Sequence, residues 1–244
     1  MTKLCFFTSS MMTSIENETG KFAVRIENTN HFLDKLQANW PDHARVLMIS
    51  SSPTAHSINE FYRDIYIESF RLSDLPYVCI DILDDRYQVD IHSYDVLILA
   101  GGHTPTQNKY FVEINLKESL ANYNGVIVGI SAGSMNAADI VYAHPELEGE
   151  VADPNYQRLL SGLALFNKRI LPHFQDSKDM MLDGYRLEDI AMQDSHLIDF
   201  YAMNDGVYFY QNGKELYLCG EALYFNKGIV TVIGKPDVDT KIAD

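Results

Sequence analysis

Basic residues are in short supply: 19 Lys and Arg face 34 Asp and Glu, a formal charge of −15. Phosphate backbones and anionic lipid surfaces are held by clustered Lys and Arg, so neither nucleic acid nor a membrane surface is an expected partner. The acidic residues are spread along the chain rather than blocked, as on a solvated surface. Cysteine is scarce too. Cys5, Cys79 and Cys219 form no C-x-x-C, and each sits in an apolar, strand-like run. They read as reduced core residues, neither a disulfide framework nor a zinc site, and neither a metal nor a cofactor is expected. No apolar run approaches the ~18 residues of a membrane span. The short one at 4–7 falls far below a signal peptide's apolar region. These absences predict a soluble, cytoplasmic protein.

What is present is enough apolar residue, 46% of 244, to fill one large core. A single α/β domain over 1–244 is predicted, with a polar tail from about 235. Apolar runs at 3–8, 45–50, 77–82, 95–100 and 126–128 read as buried strands, and 30–40 and 58–72 have helical spacing. Residues 9–20 read as a loop. In 58–72, Phe61, Tyr62, Tyr66 and Phe70 read as a core-facing stripe. Alternating strands and helices predict a mainly parallel sheet with helices on both faces, with ligands at the carboxyl ends of its strands. Near the C-terminus the short runs 206–210, 215–218, 222–225 and 229–233 are divided by Asn212-Gly213 and Asn226-Lys227-Gly228, which predict late hairpins.

Within this pattern, Gly129-Ile130-Ser131-Ala132-Gly133 matches G-x-S-x-G between a strand and a helix start at 134–140. A serine on such a turn exposes its hydroxyl, and glycines on either side remove the side chains that would clash where the chain reverses. Ser131 is therefore a candidate nucleophile, and the Ala132 amide a candidate oxyanion donor. Gly101-Gly102 ends the preceding strand, so Gly102 can supply a second donor, although alone it reads as an ordinary loop. His31, His43, His56 and His92 lie in polar contexts, whereas His173 ends an apolar run and fits a general base. Asp205, before Gly206, could orient that imidazole; read alone, Asp-Gly is turn chemistry.

The order of AGGHT (100–104), GISAGS (129–134), ADPN (152–155), LPHF (171–174) and NDG (204–206) resembles the peptidase E (aspartyl dipeptidase) family over about residues 3–233. Cyanophycinase is a relative, and the fold is similar to class I glutamine amidotransferases. The resemblance implies a serine peptidase cutting short peptides with an N-terminal aspartate, with Ser131 as nucleophile, His173 as base and an acidic third member. For that member Asp205 and Glu146 both qualify. Asp205 is favoured because a predicted strand fixes it, whereas Glu146 lies in a proline-containing turn. The family's glycine loop often reads GGGNT, where this chain carries Ala100 and His103. Arg186 is the cation nearest the place where the family grips an acidic side chain, and it reads equally well as a surface arginine.

Besides a short peptide, a second copy of the chain is kept as a partner in a homodimer. Other function classes remain. A glutaminase would need cysteine at position 131. An esterase of the α/β-hydrolase type would place its acid before a late histidine such as His196. A regulatory binding protein that kept the fold and lost activity is the third class.

Overall fold

The computed structural model describes residues 3–18 and 20–243. From the N-terminus come β1 (Leu4–Thr8), a hairpin of β2 (Ser14–Asn17) and β3 (Gly20–Ala23), α1 (Phe32–Asn39) and β4 (Ala44–Ile49). Next are α2 (His56–Leu72), β5 (Tyr77–Leu83), β6 (Val96–Leu99), α3 (Thr104–Glu113), α4 (Leu116–Ser119) and β7 (Val126–Ile130). Beyond Ser131 lie α5 (Ala132–Asn136), β8 (Ile140–Tyr142), β9 (Leu159–Ser161), β10 (Ile170–Leu171) and α6 (Phe174–Ser177). The chain ends with β11 (Met181–Leu182), β12 (Tyr185–Arg186), α7 (Leu187–Asp194), β13 (Phe200–Met203), β14 (Tyr208–Asn212), β15 (Glu215–Asn226) and β16 (Ile229–Lys241).

The central sheet has the order β10-β13-β15-β14-β1-β7-β6-β4-β5, with β16 on β15. The block β1, β7, β6, β4 and β5 is parallel throughout. Successive side chains of a strand point to opposite faces. Cys5, Phe7, Leu47, Ile49, Leu97, Leu99 and Ile127 accordingly enter one core, and Phe6, Val46, Met48, Val96, Ile98 and Val128 the other. Strands buried on both faces can be apolar at every position, so these runs are continuous rather than alternating. α1 and α2 close the second core through Phe32, Leu36, Tyr66 and Phe70. α3 closes the first through Tyr110 and Phe111. Among the described residues no helix is long and apolar enough to cross a membrane.

The late strands depart from the sequence reading. Runs 215–218 and 222–225 are one strand, β15, whose pairing with β16 shifts register between Cys219 and Gly220. β14 pairs with its first half and β13 with its second, so β13 and β14 lie end to end along it. Residues 204–207 bridge the break, and Val207 O accepts the Ser9 amide at 3.3 Å. The expected polar tail is also mostly strand: Cys219, Leu218 and Tyr217 pair with Asp239, Thr240 and Lys241. Its charge and its proline are what an outer strand tolerates, because one side needs no ladder partner. Near the N-terminus the expected loop contains the β2–β3 hairpin. The helix after Ser131 is shorter than its pattern, ending at Asn136, whose side chain donates to Thr104 O and Gln107 Oε1.

Candidate active site

At the end of β7 the chain turns sharply, and Ser131 has φ 50° and ψ −115°. A non-glycine residue held so costs roughly 1–3 kcal/mol, which the surroundings must impose. Two backbone bonds do so: the Ser131 amide donates to Thr8 O, and its carbonyl accepts from Met135 N, both at 3.0 Å. The flanking glycines make room. A β-carbon on Gly129 would sit 3.0 Å from Ser134 Cα, and one on Gly133 would sit 2.6 Å from the Leu99 carbonyl carbon. β6 and β7 are adjacent and parallel, so Gly101 and Gly102 emerge beside this turn. A β-carbon on Gly101 would be 3.4 Å from that of Ser131. Gly102 has φ 155°, and a β-carbon there would lie 2.6 Å from Ser51 Cβ. The Ala132 amide opens α5 and therefore has no acceptor within the helix.

His173 follows β10 in the left-handed conformation, φ 54°. Its Nδ1 is 2.8 Å from Asp205 Oδ1. Ser9, which follows β1, ties this pair together: its hydroxyl donates to Asp205 Oδ1 at 2.7 Å and accepts the His173 amide at 2.8 Å. The Asp205 amide in turn donates to Gln175 Oε1 at 3.0 Å. Burial works to raise the Asp205 carboxyl. The hydrogen bond and charge of His173, with the Ser9 and Gln175 contacts, outweigh it and hold the carboxyl below its ordinary value. Sequence reasoning missed Ser9 and Gln175, since a serine in a turn and a glutamine after a histidine carry no pattern of their own.

Ser131, Gly101, Gly102, His173 and Asp205 all line one cavity of about 540 Å³. With Nδ1 engaged, Nε2 is the ring nitrogen left for the cavity, although no hydrogen bond joins it to Ser131 Oγ. Tyr62 and Tyr66 of α2 reach the same cavity. The aromatic stripe is therefore only partly core: Phe70 is fully buried, but Phe61 and Tyr62 are 43% and 37% exposed. A hollow of similar size, about 570 Å³, lies at the opposite ends of the strands beside Leu4 and Val126.

The other acid, Glu146, is placed differently. Its Oε1 accepts the Thr104 amide at 3.3 Å, at the start of α3. Burial, the largest influence, raises its carboxyl despite that bond and the nearby His103. Glu150 completes this corner, receiving the Glu146 and Leu147 amides and lying 2.8 Å from His103 Nε2. Arg186 does not reach the cavity. It pairs with Asp189, Glu188 and Asp179 at 2.9, 3.1 and 3.7 Å, so three surface carboxylates already hold its charge. His196 packs beneath Gly228, whose missing β-carbon would lie 2.8 Å from its Nε2. Among the described residues, His56, Asp84 and Asp85 offer ligand atoms within 4.8 Å of one another. Both Asp84 oxygens are taken by the Arg86 guanidinium, which leaves a cation a poor donor set.

A sequence model of peptidase family S51 matches residues 24–220. The chain belongs to peptidase family S51. Solved structures agree on the fold. A peptidase from an acI-B1 Actinobacterium superposes with a TM-score of 0.67 at 12% identity, covering 99% of this chain and 98% of that one. A putative peptidase E protein from Listeria monocytogenes EGD-e gives 0.60 at 14% identity, covering 96% of this chain and 100% of its own. No functionally curated sequence matches the chain. The S51 match takes in Ser131, His173 and Asp205 and begins just after the β2–β3 hairpin.

Proposed function

We propose that this chain is a serine peptidase that hydrolyses short peptides through an acyl-enzyme on Ser131. The observation that carries the reading is the 2.8 Å contact of His173 Nδ1 with Asp205, in the cavity that Ser131 lines. Ser131 Oγ attacks the scissile carbonyl carbon while its proton passes to His173 Nε2. Asp205 fixes the tautomer and stabilises the imidazolium without itself taking the proton. The oxyanion is received by the amides of Gly102 and Ala132, each such donor being worth about 3 kcal/mol in the transition state. His173 then protonates the leaving nitrogen, the C–N bond breaks, and an ester remains on Ser131. Water, deprotonated by His173, attacks that ester, and the acid product leaves as His173 returns the proton to Ser131 Oγ.

The order Ser131, His173, Asp205 also separates this reading from an esterase of the α/β-hydrolase type, whose acid precedes its histidine. Peptides with an N-terminal aspartate are the first substrates to test, on the family resemblance. A serine-directed fluorophosphonate should label Ser131 alone, and a panel of Asp-X, Asn-X, Glu-X and neutral dipeptides should include a cleaved member. Labelling elsewhere, or no cleavage of any dipeptide by unlabelled enzyme that is competent to be labelled, would contradict the proposal.

A further inference from the structure

The cavity beside Ser131 has an apolar flank formed by Met11, Ile58, Tyr62 and Tyr66, and among the described residues Lys21 is the only lysine or arginine on its wall. Lys21 sits on β3, in the hairpin that precedes the S51-matched residues. The hairpin is anchored at its exit, where Ser69 Oγ of α2 donates to Val24 O at 2.7 Å. The Lys21 ammonium donates to Tyr62 Oη at 3.3 Å and lies 5.2 Å from the centre of that ring. Among the described residues it is in no ion pair, although Glu16 is directly across the hairpin. An ammonium has three donors, and the tyrosine takes one. In a chain of net charge −15, a cation on a cavity wall with no carboxylate partner is well placed to receive one from a ligand. Asp205, the other charged group of that wall, is already engaged by His173.

We propose that Lys21 binds a carboxylate of the peptide seated at Ser131, and so selects peptides that present an anionic group toward the hairpin. The inference rests on the peptidase reading of Ser131. It fills the role expected of Arg186 with a residue from a different element. Tyr62 is the positioning residue, since its ring and hydroxyl hold the ammonium at the wall. The carboxylate can be the peptide's C-terminus or an acidic side chain, and the test separates the two.

Binding is measured on Ser131→Ala, which cannot turn substrate over, with and without Lys21→Met, which keeps the apolar stem and removes the charge. Two matched peptide pairs are used: a free C-terminal acid against its amide, and an N-terminal Asp against Asn. A charge-assisted contact at a half-exposed site should favour the carboxylate member by about five- to tenfold. Lys21→Met should bring that ratio to about one in whichever pair carries the contact, leaving the neutral member's Kd within twofold. Lys21→Glu should invert it. Ratios unchanged by Lys21→Met, equal losses for both members of each pair, or no binding of any of the four peptides would overturn the proposal. Turnover by the otherwise wild-type enzyme is read separately, so a protein that binds through Lys21 but cleaves nothing would sink the peptidase reading alone.

Discussion

At Asp205 several groups converge on one carboxylate: His173 Nδ1 and Ser9 Oγ reach the same oxygen, and Gln175 holds the adjoining backbone amide. Glu146 instead meets the first amide of α3. A triad acid must orient an imidazole and steady its cation; of the two acids, Asp205 touches the His173 ring and Glu146 does not. Asp205→Asn should lower kcat on the order of 10⁴-fold. Glu146→Gln, whose amide oxygen can still accept from Thr104, should stay within about tenfold, or ~1.4 kcal/mol of barrier. Ser9→Ala should fall between, with a further signature. Losing a donor makes the Asp205 carboxylate more basic. The acid limb of kcat/KM should therefore move to higher pH. Profiles of the three variants on one dipeptide decide it, and an unmoved limb in Ser9→Ala would assign the serine to scaffolding only.

The turn at Ser131 works as an element because of what its neighbours lack. Gly133 presses against the Leu99 backbone at the end of β6, so the strand carrying the glycine loop and the strand carrying the serine are locked at one spacing. Gly149, by contrast, has φ 95° but open space around it. Alanine at 149 meets only the local conformational penalty of roughly 1–2 kcal/mol. Alanine at 133 must push a backbone aside. Urea unfolding should show a loss of roughly 3 kcal/mol for Gly133→Ala, clearly larger than for Gly149→Ala. The reverse ranking would mean that β6 and β7 have slack at this point.

Over the whole molecule, burial ties folding to acidity through a histidine outside the proposed catalytic set, although close enough to His173 to feel its charge. Among the described residues His144 Nδ1 has no hydrogen-bond partner, and burial first, then the Arg158 charge, pushes its pKa down to about 4. Unfolded, the same ring titrates near ~6.5. Between those values the unfolded chain binds a proton that the folded chain refuses. Stability should therefore fall as pH drops from about 6.5 toward about 4 and level off below, by at most roughly 3 kcal/mol. His144→Gln removes this contribution. Asp205, whose carboxyl is held down in the fold, also loses stability as pH falls through its folded pKa, but it does so in both proteins. Urea midpoints at pH 7 and 4.5 should drop less in His144→Gln than in wild type, and parallel drops would refute the assignment.

The amino-acid sequence by itself determined the central parallel strands, the helices over them and the elbow at Ser131. Those features rest on local rules: continuous apolar runs for doubly buried strands, periodicity for helices, and small residues where a turn is tight. It also brought His173 and Asp205 forward as ends of apolar runs. The β2–β3 hairpin escaped because its strands are largely exposed, and in β3 the partly covered positions are Lys21 and Ala23 while Phe22 is exposed, so no apolar alternation reveals it. The continuity of β15 through its register shift and the pairing of 235–241 escaped because an outer strand is specified by its partner's edge, not by its own composition. Tertiary structure alone decided that the gap between β13 and β14 opens opposite Ser9, that Arg186 is spent on surface acids, and that Lys21 reaches the cavity. Each depends on contacts between residues far apart in the chain, which no window of sequence contains.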